Sequence, residues 1–440
     1  MNMSKAFLKQ LSWLRTWKTT EGAYNGYVVH RYDLKRMFKI HDTPWSQGPI
    51  INGYLNLYVK TQDKKWLEEA ISAADLQCKR LQKTGEYIYA GFEDDRFSSL
   101  VHNSLANCAL LDLAEILVKK GMDANKYLNT VKFNIDNYII GQLWDEKFGA
   151  FKFNRTDYYS LDNVRFVVNM NSVAVESLIK LSYLTDEEEY QKYAVRVGEW
   201  ILTEQIHSNN LDNGGINYSQ IQPCVLIAIY TALAMRGLDD LYDLTGDIRY
   251  FEMMKNAAEH LISLKDPETK LFYHALMDGE LVKYPEFLAG SGIIFIALDD
   301  AEKVTGIKYD YEDSLNAVIK FQLSNGGFPN FIGYRFHGNK NPYVWEDIVS
   351  IVGWNAHLFE FFTRKIQNFT DAKYHKSNVI CLKKNFFFAE SKRFSLILSI
   401  WPINSIMIYL SIKKMNFALV YISAYQIKNI IITFYKFLRN

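Results

Sequence analysis

Residues 172–202, SVAVESLIKLSYLTDEEEYQKYAVRVGEWIL, place two helices of opposite character either side of a turn. The first is apolar on nearly every face, which marks a buried helix. In the second, apolar residues recur at i, i+3, i+4 and i+7 with acids and lysines opposite, the pattern of a surface helix. Together they predict an inner helix, a short turn and an outer helix.

The same unit repeats along the chain. Turn signals stand at Thr61 (TQDKKWLEEA), Gly121 (GMDANKYLNT), Thr185 (TDEEEYQKYA), Thr245 (TGDIRYFEMM) and Thr305 (TGIKYDYEDS), in steps of 60, 64, 60 and 60 residues. Twelve helices follow, at about 4–17, 44–60, 64–83, 98–120, 125–141, 169–184, 187–206, 221–244, 248–264, 286–304, 310–323 and 344–366. Pro44, Pro223, Pro285 and Pro342 each precede a buried helix, where a missing N–H costs nothing. Inner helices apolar on most faces are covered only if six hairpins close into a ring. The expected fold is all-α, an (α/α)6 toroid over 1–366 with no domain boundary inside it.

Longer connections lead from each outer helix to the next inner one: EGAYNGYVV (21–29), GEYIYAGFEDD (85–95), DEKFGAFKFNRTD (145–157), DNGGINYSQ (212–220), DPETKLFYHAL (266–276) and SNGGFPNFIGYRF (324–336). Their glycines and alternating aromatics suit short hairpin-like strands. All six emerge at one end, where the inner helices present free N–H groups, so a site is expected there.

Trp45, Tyr89, Phe92, Tyr158, Tyr218, Tyr273, Tyr334, Trp345 and Trp354 gather at that mouth and offer faces to sugar C–H surfaces. The same rings also serve to plug the loop layer. Asp42, Glu93-Asp94-Asp95, Glu286 and Glu346-Asp347 supply carboxylates for acid and base or nucleophile in glycoside cleavage. Helix capping accounts equally for Asp42 and Asp347. His102, with mouth tyrosines and Arg335, offers an elimination chemistry on a uronate. No H-x-x-x-H or H-E-x-x-H spacing occurs, and no metal or cofactor is expected.

The chain carries 50 Lys and Arg against 49 Asp and Glu, a balance that argues against nucleic acid as a partner. Its four cysteines are scattered, pointing to neither a zinc site nor a disulfide framework. The amino-terminal MNMSKAFLKQLSWLRTWK has no apolar core of a signal peptide, which points to the cytoplasm. Residues 367–440 read as a separate tail. From Lys373 on it holds eleven basic residues and one acid, Glu390, and includes the uncharged run Phe394–Ile412. With its basic flanks that run is long enough for a membrane contact through 394–427, although Pro402 and its serines weaken that reading. An out-of-frame stretch would have the same composition.

PWSQGPIINGYLNLYVKTQDKKWLEEA (44–70) resembles the W-[AS]-R-G-Q-A-W helix opening of unsaturated glucuronyl hydrolases. Trp45, Ser46 and Gly48 match, while Gln47 stands for the Arg and Pro49 for the Gln. NMNSVAVESLIKLSYLTDEEEYQKYA (169–194) is similar to a hairpin of the N-acylglucosamine 2-epimerase superfamily, with Asn171 or Ser172 in place of its histidine. Both resemblances imply a six-hairpin toroid that acts on carbohydrate. The expected function is a glycoside hydrolase or polysaccharide lyase for a uronate-containing oligosaccharide, with Trp45, Gln47, Tyr89, Tyr218, Tyr334, Arg335, Trp345 and Trp354 binding sugar. Alternatives are a sugar epimerase or isomerase of the same fold and a non-catalytic ring that binds glycan or protein.

Overall fold

The computed structural model describes residues 3–19, 21–24, 26–28, 39–41, 44–87, 98–155, 165–323, 325–333, 352–367 and a set of strands between 380 and 423. Its helices are α1 (Met3–Trp17), α2 (Pro44–Thr61), α3 (Lys64–Lys79), α4 (Leu100–Lys119), α5 (Asn125–Asn134, continued by a π-helical Ile135–Leu143), α6 (Val168–Thr185), α7 (Glu189–Thr203), α8 (Ala228–Ala234), α9 (Leu238–Thr245), α10 (Ile248–Ser263), α11 (Ser291–Thr305), α12 (Glu312–Lys320) and α13 (Val352–Lys365).

Burial follows the two sequence patterns. From Val168 to Ile179 every residue of α6 is buried. Its partner α7 buries Tyr190, Ala194, Val197, Gly198 and Ile201, one stripe of a 3.6-residue helix. In α10 the stripe is Tyr250, Met253, Met254, Ala257, Ala258 and Leu261. Consecutive inner helices α2, α4, α6, α8, α11 and α13 pack side by side, and α13 returns to α2. Lys60 of α2 donates to the carbonyls of Thr363, Arg364 and Ile366 at 2.8, 2.6 and 2.8 Å, capping the end of α13. Gln10 of α1 donates to the Asn355 carbonyl at 3.0 Å, so the first outer helix pairs with the last inner one. The ring is closed: an (α/α)6 toroid.

The two ends of the ring are built by different devices. At one end, turns of two to six residues join inner to outer helix. The recurring threonines explain them: Thr61, Thr185, Thr245 and Thr305 donate their hydroxyls to the carbonyls of Leu57, Leu181, Leu241 and Ala301, one turn back, at 2.6–2.9 Å. Asp63 and Asp247 then cap α3 and α10 by accepting the N–H of Lys65 and Arg249.

At the other end, connections of twenty to thirty-one residues begin with a tight reversal that folds a large side chain back under the ring. The pairs are Lys18 with Tyr24, Leu81 with Tyr87, Gln205 with Ile216 and Lys265 with Phe272. Trp144 and Phe151 pair likewise between β3 (Trp144–Asp145) and β4 (Ala150–Phe151). Three asparagines of the inner helices clamp these plugs. Asn171 accepts the Phe151 N–H and donates to its carbonyl, both at 2.9 Å, and Asn355 does the same to Phe328 at 2.9 and 2.9 Å. Asn103 accepts the Tyr87 N–H at 3.1 Å. Short strands β1 (Gly26–Val28) with β2 (Lys39–His41), β5 (Val225–Ile227) with β6 (Ala275–Met277) and β7 (Glu280–Val282), and β8 (Glu286–Phe287) with β9 (Phe331–Ile332) complete the loop end.

Two helix expectations need correction. The span 221–244 is not one helix: Val225–Ile227 is strand, held by β6, and the helix that follows breaks at residues 235–237. Gly237 there has φ +75°, a conformation that halts a helix of L-residues. Likewise 286–287 is strand and α11 starts at Ser291, so Pro223 and Pro285 precede strands rather than helices. The expected start of the last helix, 344–351, lies outside the described residues.

The uncharged run Phe394–Ile412 is divided between two antiparallel strands, not one helix. They belong to a sheet of β10 (Ile380–Lys383), β11 (Phe386–Glu390), β12 (Phe394–Ile400), β13 (Ser405–Ile412), β14 (Met415–Asn416) and β15 (Val420–Ser423). Isoleucine-rich alternation suits strands. Among the described residues one helix, α4, is long and apolar enough to cross a membrane, and 72% of it is buried as an inner helix of the ring.

Replacing Asn355 by Ala leaves the buried N–H and carbonyl of Phe328 unmet. Chemical denaturation is expected to show a loss on the order of 2–4 kcal/mol. A loss within experimental error would mean that the clamp does not hold the plug.

Candidate functional site

The described part of the loop end carries an arc of rings in two groups across the starts of three inner helices. It begins at Tyr218, stacked on Tyr230 of α8 with centroids 5.1 Å apart. Burial pushes the Tyr218 hydroxyl well above its usual range, and Tyr230 adds to this. The Ala228 N–H at the start of α8 donates to the His274 carbonyl at 3.0 Å, which carries the arc across β5 and β6. His274 stacks on Phe287 of β8 at 5.2 Å and 17°. Phe287 then meets Phe331 of β9 at 4.9 Å and Trp354 of α13 at 6.1 Å. Trp354, Tyr218, Tyr230 and His274 are half-buried and keep accessible surface at the mouth.

Glu286 occupies the other face of the same strand. Neighbouring residues of a strand point to opposite sides, so with Phe287 in the arc, Glu286 turns toward the 266–269 turn. It is 1% exposed and accepts the Thr269 hydroxyl at 2.8 Å. Burial raises its pKa to about 6; Thr269 and Lys283 oppose that shift and Asp266 adds to it. Burial also acts on Asp266, but Lys283 at 2.5 Å and the N–H groups of Glu268 and Thr269 outweigh it and hold Asp266 below the usual carboxylate range. Two neighbouring carboxyls thereby have their pKa values moved in opposite directions, Glu286 up and Asp266 down.

His102, the third residue of α4, lies with Nδ1 2.8 Å from the Ser99 hydroxyl, which fixes its ring at the mouth. Gln47, at the position where the glucuronyl hydrolase motif has Arg, is fully buried in α2. Trp45 belongs to α2, its side chain outside what is described. Asp42, Tyr89, Phe92, Glu93, Asp94, Asp95, Tyr158, Tyr334, Arg335, Trp345, Glu346 and Asp347 lie outside the described residues. The structure thus brings His102, Gln47, Tyr218, Glu286 and Trp354 to one end of the ring, with Trp354 and Tyr218 in the arc and Glu286 behind it. Tyr230, Phe287 and Phe331 escaped the sequence reading, although KYPEFLAGSG (283–292) and GGFPNFIG (326–333) show the aromatic positions. Among the described residues no group of three or more His, Cys, Asp or Glu side chains is placed to hold a metal ion.

Solved structures share this architecture. The cellobiose 2-epimerase from Bacillus thermoamylovorans B4167 superposes with TM-score 0.61 at 12% identity, over 82% of this chain and 99% of that one. The GH76A α-1,6-mannanase from Salegentibacter sp. HEL1_6 gives 0.56 at 12%, over 83% and 99%. An unsaturated glucuronyl hydrolase specific for heparin gives 0.57 at 12%, over 82% and 96%. The glucuronyl hydrolase is of the family that residues 44–70 resemble, and the epimerase and mannanase share the same six-hairpin toroid; at such identities the likeness establishes the fold. No protein-family model matches the chain, and no curated protein matches it by sequence.

The raised pKa of Glu286 has a consequence for stability. Between the unfolded value near 4.5 and the folded value of about 6, the native state binds more protons than the unfolded one, so stability falls as pH rises through that window. Glu286→Gln keeps the acceptor for Thr269 without the charge. Thermal melts are expected to place the variant above the parent protein at pH 8, by about 1–2 kcal/mol, and to show no advantage at pH 4. An advantage at pH 4 equal to that at pH 8 would contradict the assignment.

Proposed function

We propose that the protein is a carbohydrate-active enzyme whose substrate binds at the loop end of the ring against the Tyr218–Trp354 arc. The arc is the observation that carries this reading: half-buried rings along one rim supply apolar faces for sugar C–H surfaces. Support comes from similar toroids whose names place them on cellobiose, α-1,6-mannan and unsaturated glucuronides. In the leading form the reaction is glycoside cleavage or elimination on a uronate-containing oligosaccharide. Carboxylates of the loop end act as acid and base, with His102 the candidate for proton transfer in an elimination; Glu286, buried and turned away from the arc, supports the strand behind the site. Epimerisation is the second reading, favoured by the cellobiose 2-epimerase and D-mannose isomerase likenesses.

Three readouts separate these reactions. Hydrolysis of an unsaturated uronyl disaccharide removes the absorbance of its double bond, elimination on a polymer creates it, and epimerisation incorporates solvent deuterium into the sugar. Trp354→Ala is expected to raise KM about tenfold, the loss of one aromatic stacking contact. Absence of all three signals with cellobiose, mannobiose, unsaturated uronyl disaccharides and a uronate polymer would overturn the enzyme reading. Binding of the same sugars without turnover would favour a non-catalytic ring.

A further inference from the structure

The short-turn end of the ring holds a site of a different kind. Where α8 breaks from α9, Gly237 sits so close to α6 that a Cβ would meet the Ser172 carbonyl at 2.9 Å and the Glu176 nitrogen at 3.0 Å. The break leaves a cavity of about 210 Å³ between α6, α8, α9, α11 and α13. Leu233, Met254, Ile293 and Ile296 form its apolar wall, and Glu176, Lys180, Arg236, Asp239, Asp240, Asp300 and Arg364 its polar one.

Each base in that wall is matched. Arg236 forks onto Glu176 at 2.5 and 2.8 Å. Lys180 bridges Asp112 at 2.7 Å and Glu176 at 2.9 Å. Arg364 Nη1 donates to both carboxylate oxygens of Asp300 at 2.9 and 2.8 Å, and Nη2 reaches Glu360 at 3.2 Å. Asp239 and Asp240 are the remainder: both line the cavity, and among the described residues neither side chain has an ion-pair partner. Glu360 adds a second deficit. It lies on the face of α13 that carries the cavity residues His357 and Arg364, is 1% exposed, and leaves Oε2 without a hydrogen bond. Six carboxylates, counting Asp112 and Glu360, thus share four bases, since Lys303 also reaches Asp300 at 2.8 Å.

Unbalanced carboxylates withdrawn from water are costly unless a proton or a cation joins them. Burial and Glu176 push both aspartates up, Asp240 to about 8; Asp300 adds to the rise of Asp239, which the Asp240 N–H opposes, Asp239 and Asp112 add to that of Asp240, and Lys180 opposes both. We propose that this cavity binds a small alkyl ammonium ligand, its charged nitrogen between Asp239 and Asp240 and its methylenes against Leu233, Met254, Ile293 and Ile296. The acidic part of the cavity lies toward the short turns, while Ile293 and His357 bring its other part within about one helical turn of the arc; the charge argument stands independently of the sugar reading.

The test is titration calorimetry of the full-length protein with 1,4-diaminobutane at pH 7, in two buffers of different ionisation heat, alongside thermal melts. The expected result is saturable binding that raises the melting temperature and releases protons, because the ammonium displaces a carboxyl proton. Asp239→Asn and Asp240→Asn are each expected to weaken binding at least about tenfold. Both variants should be folded and no less stable than the parent protein without ligand, since each removes an unmatched carboxylate. No saturable binding to the parent protein, or equal affinity in both Asn variants, would overturn the proposal. So would the same melting response to potassium chloride at equal ionic strength.

Discussion

Inner helices apolar on nearly every face have no stable place in an open stack, and their burial is the constraint from which the rest of this structure follows. A helix such as α6, buried over its first three turns, must be covered on both sides as well as behind. A linear array would leave α2 and α13 each with one bare flank. Closing the array removes both flanks at once, and it is why the first outer helix, α1, serves the last inner helix rather than its sequence neighbour. The closure demands close approach. A Cβ on Gly48 of α2 would meet the Leu105 carbonyl of α4 at 2.6 Å, and one on Gly292 of α11 would meet the Leu358 nitrogen of α13 at 2.4 Å.

Closure also separates the two ends of the ring in kind. Threonine hydroxyls turned onto the preceding helical turn keep the inner-to-outer connections short. Asparagine clamps and buried plugs anchor the other connections at their roots. An aromatic arc can therefore form only at that second end. The charged cavity at the first end arises where one inner helix fails to run straight.

The sequence makes the ring legible because threonine punctuation and the alternation of apolar and amphipathic helices are local signals. It hides features that depend on distant partners. Asn103, Asn171 and Asn355 reach plugs 16, 20 and 27 residues away, at no fixed spacing, so they read as polar residues in apolar helices. The run IAIYTALAMRGLDDLYDL reads as one helix because Ala and Leu outweigh a single glycine, and the break at Gly237 is decided by its packing against α6. The place of Glu286 near the mouth is legible in the sequence, but the β8–β9 pairing that turns it away from the arc is not encoded in its neighbours. The acids of the second loop and of 342–350 lie outside the described residues, so for them the sequence remains the whole of the reading.

Hydrogen exchange on Gly292→Ala tests closure most directly, because the added methyl is directed into the backbone of α13 at the α11–α13 seam. In a closed ring the inner helices are one cooperative unit, so amides of α2, α4 and α6 are predicted to lose protection together with those of α11 and α13. Loss confined to α11 and α13, with α4 and α6 unchanged, would show an array that opens at a hinge and would contradict the closed ring.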